Sequence, residues 1–364
     1  MSSLIDDNVT HVPMLPSPTT VLNTAPPDKQ GGGGGAVLNE LYLKIIYALI
    51  GLLGIVGNSI VCLVFTVKRR QFQSITNYLI LNQSIIDLVD SIFFILIHYA
   101  SPNGPISETA ALPSRGLAEF FCRMWDSEYP LWALYIASTA NLVILSLERY
   151  FATCRPVIHR NFFTVRRAKW AMLCVWVYGA VYQLYWPLVQ TFSEDWRCHP
   201  SWPNRVVQIF MGVLLFTLEY LIPLVIMTFS YVSIIHMLRN RTKSHGKVQV
   251  NAFQRAKRNV TTTLCIVFVS YVVCWTPTEL SYLAYNLGHN YNFESAIHDV
   301  VKGLVACNLC VNPFIYAFKY EHFQTELRNM FSSVCTVCNP GNRISSEARG
   351  TVLSPTNNSS NNTP

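Results

Sequence analysis

Charged side chains inside apolar stretches have few uses, and this chain of 364 residues places several there. Asp87 sits mid-way along an apolar run, Glu148-Arg149-Tyr150 closes another, and Glu128, Glu219, Glu279 and Lys302 lie within or beside others. Such groups can move a proton, hold a cation or form an ion pair, because an isolated charge in apolar surroundings is costly until something pairs with it. Covalent chemistry lacks comparable support. No catalytic triad, H-E-x-x-H or phosphate loop is present, so the chain does not read as an enzyme. Of the eleven cysteines, Cys62, Cys174, Cys265, Cys274, Cys307 and Cys310 fall inside apolar runs, where a thiol is a small packing residue. Cys335-x-x-Cys338 has neither a second pair nor neighbouring histidines, which makes zinc a poor fit.

The elements that must position these residues follow from composition. Charged residues are 13% of the chain and hydrophobic residues 51%, with mean hydropathy +0.28, whereas soluble domains carry roughly 25% charge. Ile45 to Val67 is an uncharged run of 23 residues, and a helix needs only about 20 to cross the hydrocarbon. Further runs at 77–100, 124–152, 168–190, 206–237, 259–286 and 297–318 bring the count to seven. Unpaired backbone in lipid is costly and the alternation of a barrel is absent, so these runs are predicted to be helices. The expected fold is an all-α membrane protein, a seven-helix bundle over 39–319. Residues 1–38, rich in Pro, Thr, Asn and Gly, read as a disordered tail that lacks the signals of a cleavable leader.

Orientation comes from the basic residues. Segments 68–70, 149–169, 239–258 and 319–349 hold 20 of the 27 Lys and Arg and share one side if the helices alternate. That side is expected to be cytoplasmic. The formal charge of +7 is thereby explained by topology and not by nucleic-acid binding. The tail is then outside, where the sequon at Asn8 is a glycosylation candidate. After the last run, Phe323, Leu327, Met330 and Phe331 share one helical face, which predicts an amphipathic surface helix over 320–331. Cys335 and Cys338 beyond it are palmitoylation candidates in a disordered tail over 332–364.

Seven constellations occur in order, one for each run: Asn58 in Gly-Asn-Ser-Ile-Val, Asn77 to Asp87, Glu148-Arg149-Tyr150, Trp176, Pro223 with Tyr231, Cys274-Trp275-Thr276-Pro277, and Asn312-Pro313-Phe314-Ile315-Tyr316. Together they resemble the rhodopsin-like, class A G-protein-coupled receptors over about 40–331. The resemblance implies a plasma-membrane receptor that activates heterotrimeric G proteins by outward movement of the sixth helix, with arrestin and receptor kinases as further partners. It implies that Arg149 swings out to meet the G protein, supported by Tyr231 and Tyr316, and that Trp275 and Pro277 form a switch. It also implies an allosteric sodium ion at Asp87, Ser138, Asn308 and Asn312; a protonated acid in the core is the other reading of Asp87. Lys257 stands where many relatives carry an acid, which predicts easier activation. Cys122 and Cys198 are the two cysteines clearly on the outer face, so a bridge between them is the economical pairing. The Cys122 to Arg149 spacing is two residues longer than is typical of relatives.

The resemblance places the ligand between the third, fifth, sixth and seventh helices. Leu131 stands where amine receptors carry Asp, and Ala306 where opsins carry the retinal lysine, which disfavours both ligand classes. Glu128, Glu219 and Glu279, with Lys302 opposite as a partner for one of them and Trp132, Trp186, Tyr282 and Tyr285 as aromatic surfaces, point to a neuropeptide or peptide hormone with a cationic group; structural water or a proton shared between acids is the other reading. A non-peptide small molecule for the same fold, and a transporter, are the alternatives; inverted repeats and paired broken helices, which would mark a transporter, are not visible.

Overall fold

The computed structural model describes residues 33–99, 114–192, 198–244, 252–291 and 295–338, with side chains described over 42–99, 114–192, 198, 200–240, 258–291, 295 and 297–332. The chain divides into Met1–Lys44 and Ile45–Pro364. Of the first unit the structure describes helix from Gly33 onward, five residues before the expected end of the tail.

Seven helical segments are long and apolar enough to cross a membrane: Tyr42–Val67, Ile75–Tyr99, Arg115–Cys154, Val165–Val189, Arg205–Asn240, Arg258–Leu287 and Ile297–Lys319, here called the first to seventh spans. The burial pattern inverts that of a soluble protein. Asn58, Gln83, Asp87, Asn141 and Asn312 are buried, while Leu49, Val56, Phe229 and Val273 face outward. Lipid solvates the apolar exterior, and the polar groups must find one another within. Several starts are set by short polar side chains. Ser114, Thr164, Asn204 and Ser295 each accept a hydrogen bond from the backbone N–H three residues on, as an N-cap does.

The third span packs against the second, fourth and fifth. Ile86, Leu134, Ala137 and Val175 form a core cluster among the second, third and fourth. Its outer end departs from the expected start at 124. The helix begins at Arg115, passes through a π-helical turn at Cys122–Asp126, and restarts at Tyr129 with Pro130 in its first turn. Glu128 at the join has φ of 54°, the one positive φ among the described non-glycine residues. The helix is thus broken locally at Ser127 and Glu128, between the disulfide and the stretch that carries Arg149. The polar segment above it is held by the Arg123–Glu119 pair at 2.9 Å and by Arg123 Nη1 donating to the Pro187 carbonyl at 3.0 Å.

Cys122 is bridged to Cys198, with the Cα atoms 5.7 Å apart. Cys198 lies in a two-stranded antiparallel hairpin, β1 (Gln190–Phe192) and β2 (Cys198–Pro200), paired Phe192 to Cys198. The all-α reading did not include it. The surface helix is also longer than expected, running Glu321–Cys338 and not stopping at Phe331. It is docked by Phe323, which stacks on Phe65 with ring centroids 6.0 Å apart. Cys335 and Cys338 lie in its last turns, with side chains outside the described residues, and Asn8 lies outside them altogether.

Close approach of the third and fourth spans depends on Gly179, where a Cβ would overlap the Ala133 carbonyl and crowd Ala137. Overpacking of this kind costs about 1–3 kcal/mol. Gly179→Ala is expected to lower the melting temperature of the purified protein by several degrees. Gly116→Ala, with nothing within 4 Å of its added methyl, should leave it unchanged or slightly raised.

Candidate functional site

At the end of the bundle away from the disulfide, Glu148 is an acceptor for four donors from three directions. Arg149 Nε and Nη2 each reach it at 2.6 Å, Thr76 Oγ1 at 3.0 Å and His159 Nε2 at 2.8 Å. A carboxylate in this position lowers the cost of keeping a guanidinium inside the bundle end. Tyr231 is buried and stacks on Phe268 at 5.3 Å, and Tyr316 is fully buried. Neither is bonded to Arg149, so the structure holds the arginine in its paired arrangement. Tyr150 packs outward on Phe229. Just beyond the seventh span, Tyr320 donates to Asn77 Oδ1 at 2.8 Å. Burial pushes its hydroxyl up to about 12, against the lowering effects of Arg149 and of the Asn77 bond, so it remains a neutral donor at physiological pH.

Lys257, the basic residue at the sixth-span foot, has its side chain outside the described residues. The closing contact there is made instead by Asn259. Its Nδ2 donates to the Lys319 carbonyl at 2.8 Å and its Oδ1 accepts from the Glu321 N–H at 3.0 Å. One amide therefore clamps the elbow between the seventh span and the surface helix.

A continuous polar path crosses the bundle centre. Trp176 Nε1 donates to Asn82 Oδ1, Asn82 Nδ2 to Asn141 Oδ1, and Asn141 Nδ2 to Gln83 Oε1, at 2.8–3.1 Å. Gln83 Nε2 then donates to Asp87 Oδ1 at 2.9 Å and also to Ser138 Oγ, and Asn312 Nδ2 to Asp87 Oδ2 at 2.8 Å. The structure thus brings Asp87, Ser138 and Asn312 together as expected. Asn308 is buried nearby in sequence, with Nδ2 bonded to no described group. Gln83, a residue the sequence reading did not single out, is the joint of the path. Asn58 ties the first span to the seventh through the Leu309 carbonyl at 2.8 Å, and Gly57 permits contact with Pro313.

Above this path, Trp275, two residues before the helix-interior Pro277, meets Tyr135 edge-on at 5.3 Å and Tyr271 at 5.9 Å. Tyr135 touches Trp132, which touches Tyr282. Of these rings, Trp132 and Tyr282 line a cavity of about 400 Å³ together with Glu219, Glu279, Trp186 and Tyr285, all expected ligand-site residues. Gln183, Tyr185, Trp202, Phe216 and Asn286 also line it and were missed. The structure corrects one grouping. Lys302 does not face the three acids together, because it pairs with Glu128 at 3.2 Å in a separate narrow recess with Leu131, Tyr47 and His98. The left-handed turn at Glu128 aims that carboxylate toward the seventh span.

A seven-span bundle with an aromatic, acid-lined cavity at one end and a restrained arginine at the other has the layout of a membrane signal receptor. The family model for the seven-transmembrane receptors of the rhodopsin family matches residues 57–316. The chain belongs to that family, and it is a multi-pass membrane protein and not an enzyme. It is similar to galanin receptor 2b of Danio rerio, 29% identical over 81% of this chain and 76% of the relative. The allatostatin-A receptor of Bombyx mori is 26% identical over 81% of this chain and 82% of its own length. Neuropeptide Y receptor type 6 of Mus musculus is 24% identical over 79% of each. Neither a transporter nor a receptor for a non-peptide small molecule is favoured by these relationships.

The Glu128–Lys302 pair can be tested by reversal. Glu128→Lys and Lys302→Glu should each lower the melting temperature of the purified receptor, and the doubly reversed protein should recover part of the loss, with a coupling of about 1 kcal/mol. Purely additive losses would remove the pair from the description of the recess.

Proposed function

We propose that this receptor binds an extracellular peptide in the acid-lined cavity and activates heterotrimeric G proteins through Arg149 at the opposite end. The relatives named above support a peptide ligand, since their names are those of neuropeptide receptors. The carrying observation is the pairing of an acid-lined aromatic cavity at one end with Arg149 held by Glu148 at the other, with the Trp132, Tyr135 and Trp275 rings beneath the cavity and the polar path from Trp176 to Asn312 across the centre between them. Outward movement of the sixth span would open the Arg149 end, and arrestin and receptor kinases would use the same face by family likeness. Residence in the plasma membrane with the N-terminus outside is supported by the basic segments gathered at the Arg149 end and the disulfide at the other. Glycosylation of Asn8 and palmitoylation of Cys335 and Cys338 belong to the same reading.

An allosteric sodium ion is part of the proposal. Asp87 and Asp90 are each 1% exposed, and the donors to Asp87 are neutral amides and a hydroxyl. No cation among the described residues pairs with either acid, and a hard monovalent cation suits carboxylate and hydroxyl oxygens. Asp87, Ser138, Asn308 and Asn312 are the residues that would hold it, and the ion would supply the missing positive charge. Sodium chloride is expected to raise the melting temperature of the purified receptor more than choline chloride does, and Asp87→Asn should abolish the difference.

Outward movement of the sixth span requires the Asn259 clamp to break. Two hydrogen bonds of about 0.5–1.5 kcal/mol each hold it, so Asn259→Ala should raise basal nucleotide exchange on a co-reconstituted G protein by a few-fold to roughly tenfold. Peptides from a panel containing galanin, allatostatin-A and neuropeptide Y should stimulate that exchange, and Arg149→Ala should abolish it. Unchanged stimulation in Arg149→Ala would defeat the coupling route, and unaltered basal exchange in Asn259→Ala would defeat the clamp.

A further inference from the structure

The three pocket acids have different fates. Glu128 is matched by Lys302 at 3.2 Å, whereas no cation among the described residues pairs with Glu219 or Glu279. Two of the described basic side chains toward the disulfide end are engaged elsewhere: Arg123 holds Glu119, and Arg205 donates to Gln208. Glu279 is 7% exposed and Gln183 3% exposed, and both line the large cavity with Glu219. Glu219 Oε1 and Gln183 Oε1 are buried oxygens that accept no hydrogen bond from the described protein. The Tyr182 hydroxyl stands beside Glu219 without a hydrogen bond of ordinary geometry.

Local backbone chemistry explains why Glu219 points inward. It lies in a π-helical segment, Phe216–Leu221, immediately before Pro223. Such a segment rotates side chains relative to an α-helix and recurs where a binding group must be re-aimed. Glu279 follows Pro277 by two residues in the sixth span and lines the same cavity. The walls between them are aromatic, with Tyr185, Trp186, Phe216 and Tyr282 around the space.

We propose that Glu219, Glu279 and Gln183 form a subsite for a planar, donor-rich cation, a guanidinium or amidinium carried on a basic side chain of the bound peptide. The inference rests on the peptide-receptor reading and specifies which charge that peptide presents and where. All three protein groups offer acceptor oxygens, so the complementary group is one that only donates. A guanidinium brings five N–H donors in a fixed plane, is weakly hydrated and stacks on aromatic faces, which suits this cavity better than a compact, strongly hydrated ammonium. The Glu128–Lys302 recess is self-compensated and takes no net charge, so the cation is directed to the fifth- and sixth-span side.

Benzamidine, benzylamine and benzamide test this directly, because they share a ring and differ in the head group. With full-length receptor purified in detergent, benzamidine should give a saturable rise in melting temperature by mass action. Benzylamine should give a smaller rise and neutral benzamide none. The double variant E219Q/E279Q should lose the benzamidine response, and Q183L should raise the half-saturating concentration roughly tenfold. E119Q, at the exposed Arg123 pair, should respond as the unaltered receptor does. Where the double variant does not fold, E219Q and E279Q singly give the same readout. Equal responses to benzamide and benzamidine, or a benzamidine response that survives loss of both carboxylates, would overturn the proposal. No G protein takes part in the measurement, so a failure here leaves nucleotide exchange intact, and a failure of exchange leaves this binding result standing.

Discussion

Backbone polar groups inside the hydrocarbon must be satisfied from within the protein, buried polar side chains are costly until they find partners there, and this constraint orders the bundle. Backbone groups meet it by helix formation. Side chains meet it by converging on one another, which is why amides are concentrated on the inward faces of the second, third and seventh spans. Asn82, Gln83 and Asn141 are each both donor and acceptor, and an amide can therefore extend a chain where a carboxylate would end it. The path terminates on Asp87, whose oxygens accept from Gln83, Ser138 and Asn312. Loss of any link leaves buried partners unsatisfied, so the spans are tied in register by far more than apolar packing.

The same constraint explains the geometry of the third span. The helix below Tyr129 must keep Ser138, Asn141 and Arg149 on the inward face, while the disulfide to the hairpin fixes Cys122 at the other end. The residues between these fixed points cannot be accommodated by sliding the helix without turning its polar face to lipid. They are taken up where the chain is still near the polar end, by a π turn and a left-handed residue. The break also turns Glu128 toward Lys302, and the strain of φ 54° is offset by an ion pair between spans distant in sequence.

The spans were legible because length and lack of charge suffice to mark a crossing helix, and the ordered motifs located the two ends and the centre. The outer end of the third span was not, since in Arg115 to Asp126 four charged residues interrupt the apolar ones, and the Arg123–Glu119 pair and the disulfide that hold it are tertiary and local contacts that no hydropathy run displays. Nor was the hairpin, because strands of three residues carry no readable alternation. The four acid and base residues of the pocket were identified by type, but their pairing was not. Glu128 lies one helical turn from Leu131 and Trp132 in sequence, and nothing in that spacing reveals a backbone inversion that sends its side chain into a separate recess. Gln183 and Gln83 illustrate the same limit. An amide among apolar residues is unremarkable until its neighbours are known to be acceptors or donors.

How a change in the cavity reaches Arg149 follows from the shape of the connection. Trp132, Tyr135, Trp275 and Tyr271 touch through edge-on and tilted contacts at 5.3–5.9 Å, and rings packed in this way have a small number of alternative arrangements in place of a continuous range. Trp275 Nε1, Tyr271 Oη and Tyr316 Oη lie on the sixth and seventh spans near Pro277 and Pro313, and none has a hydrogen-bond partner of ordinary geometry among the described residues. These groups therefore lose no described bond when the rings repack. By contrast, the polar path and the Asn259 clamp lose specific bonds when the sixth and seventh spans shift. The resistance to movement thus resides in the hydrogen bonds at the centre and at the Arg149 end, while the aromatic rings supply the freedom. A ligand that engages the fifth and sixth spans acts on the mobile side of that division, which is where the unpaired acids Glu219 and Glu279 stand.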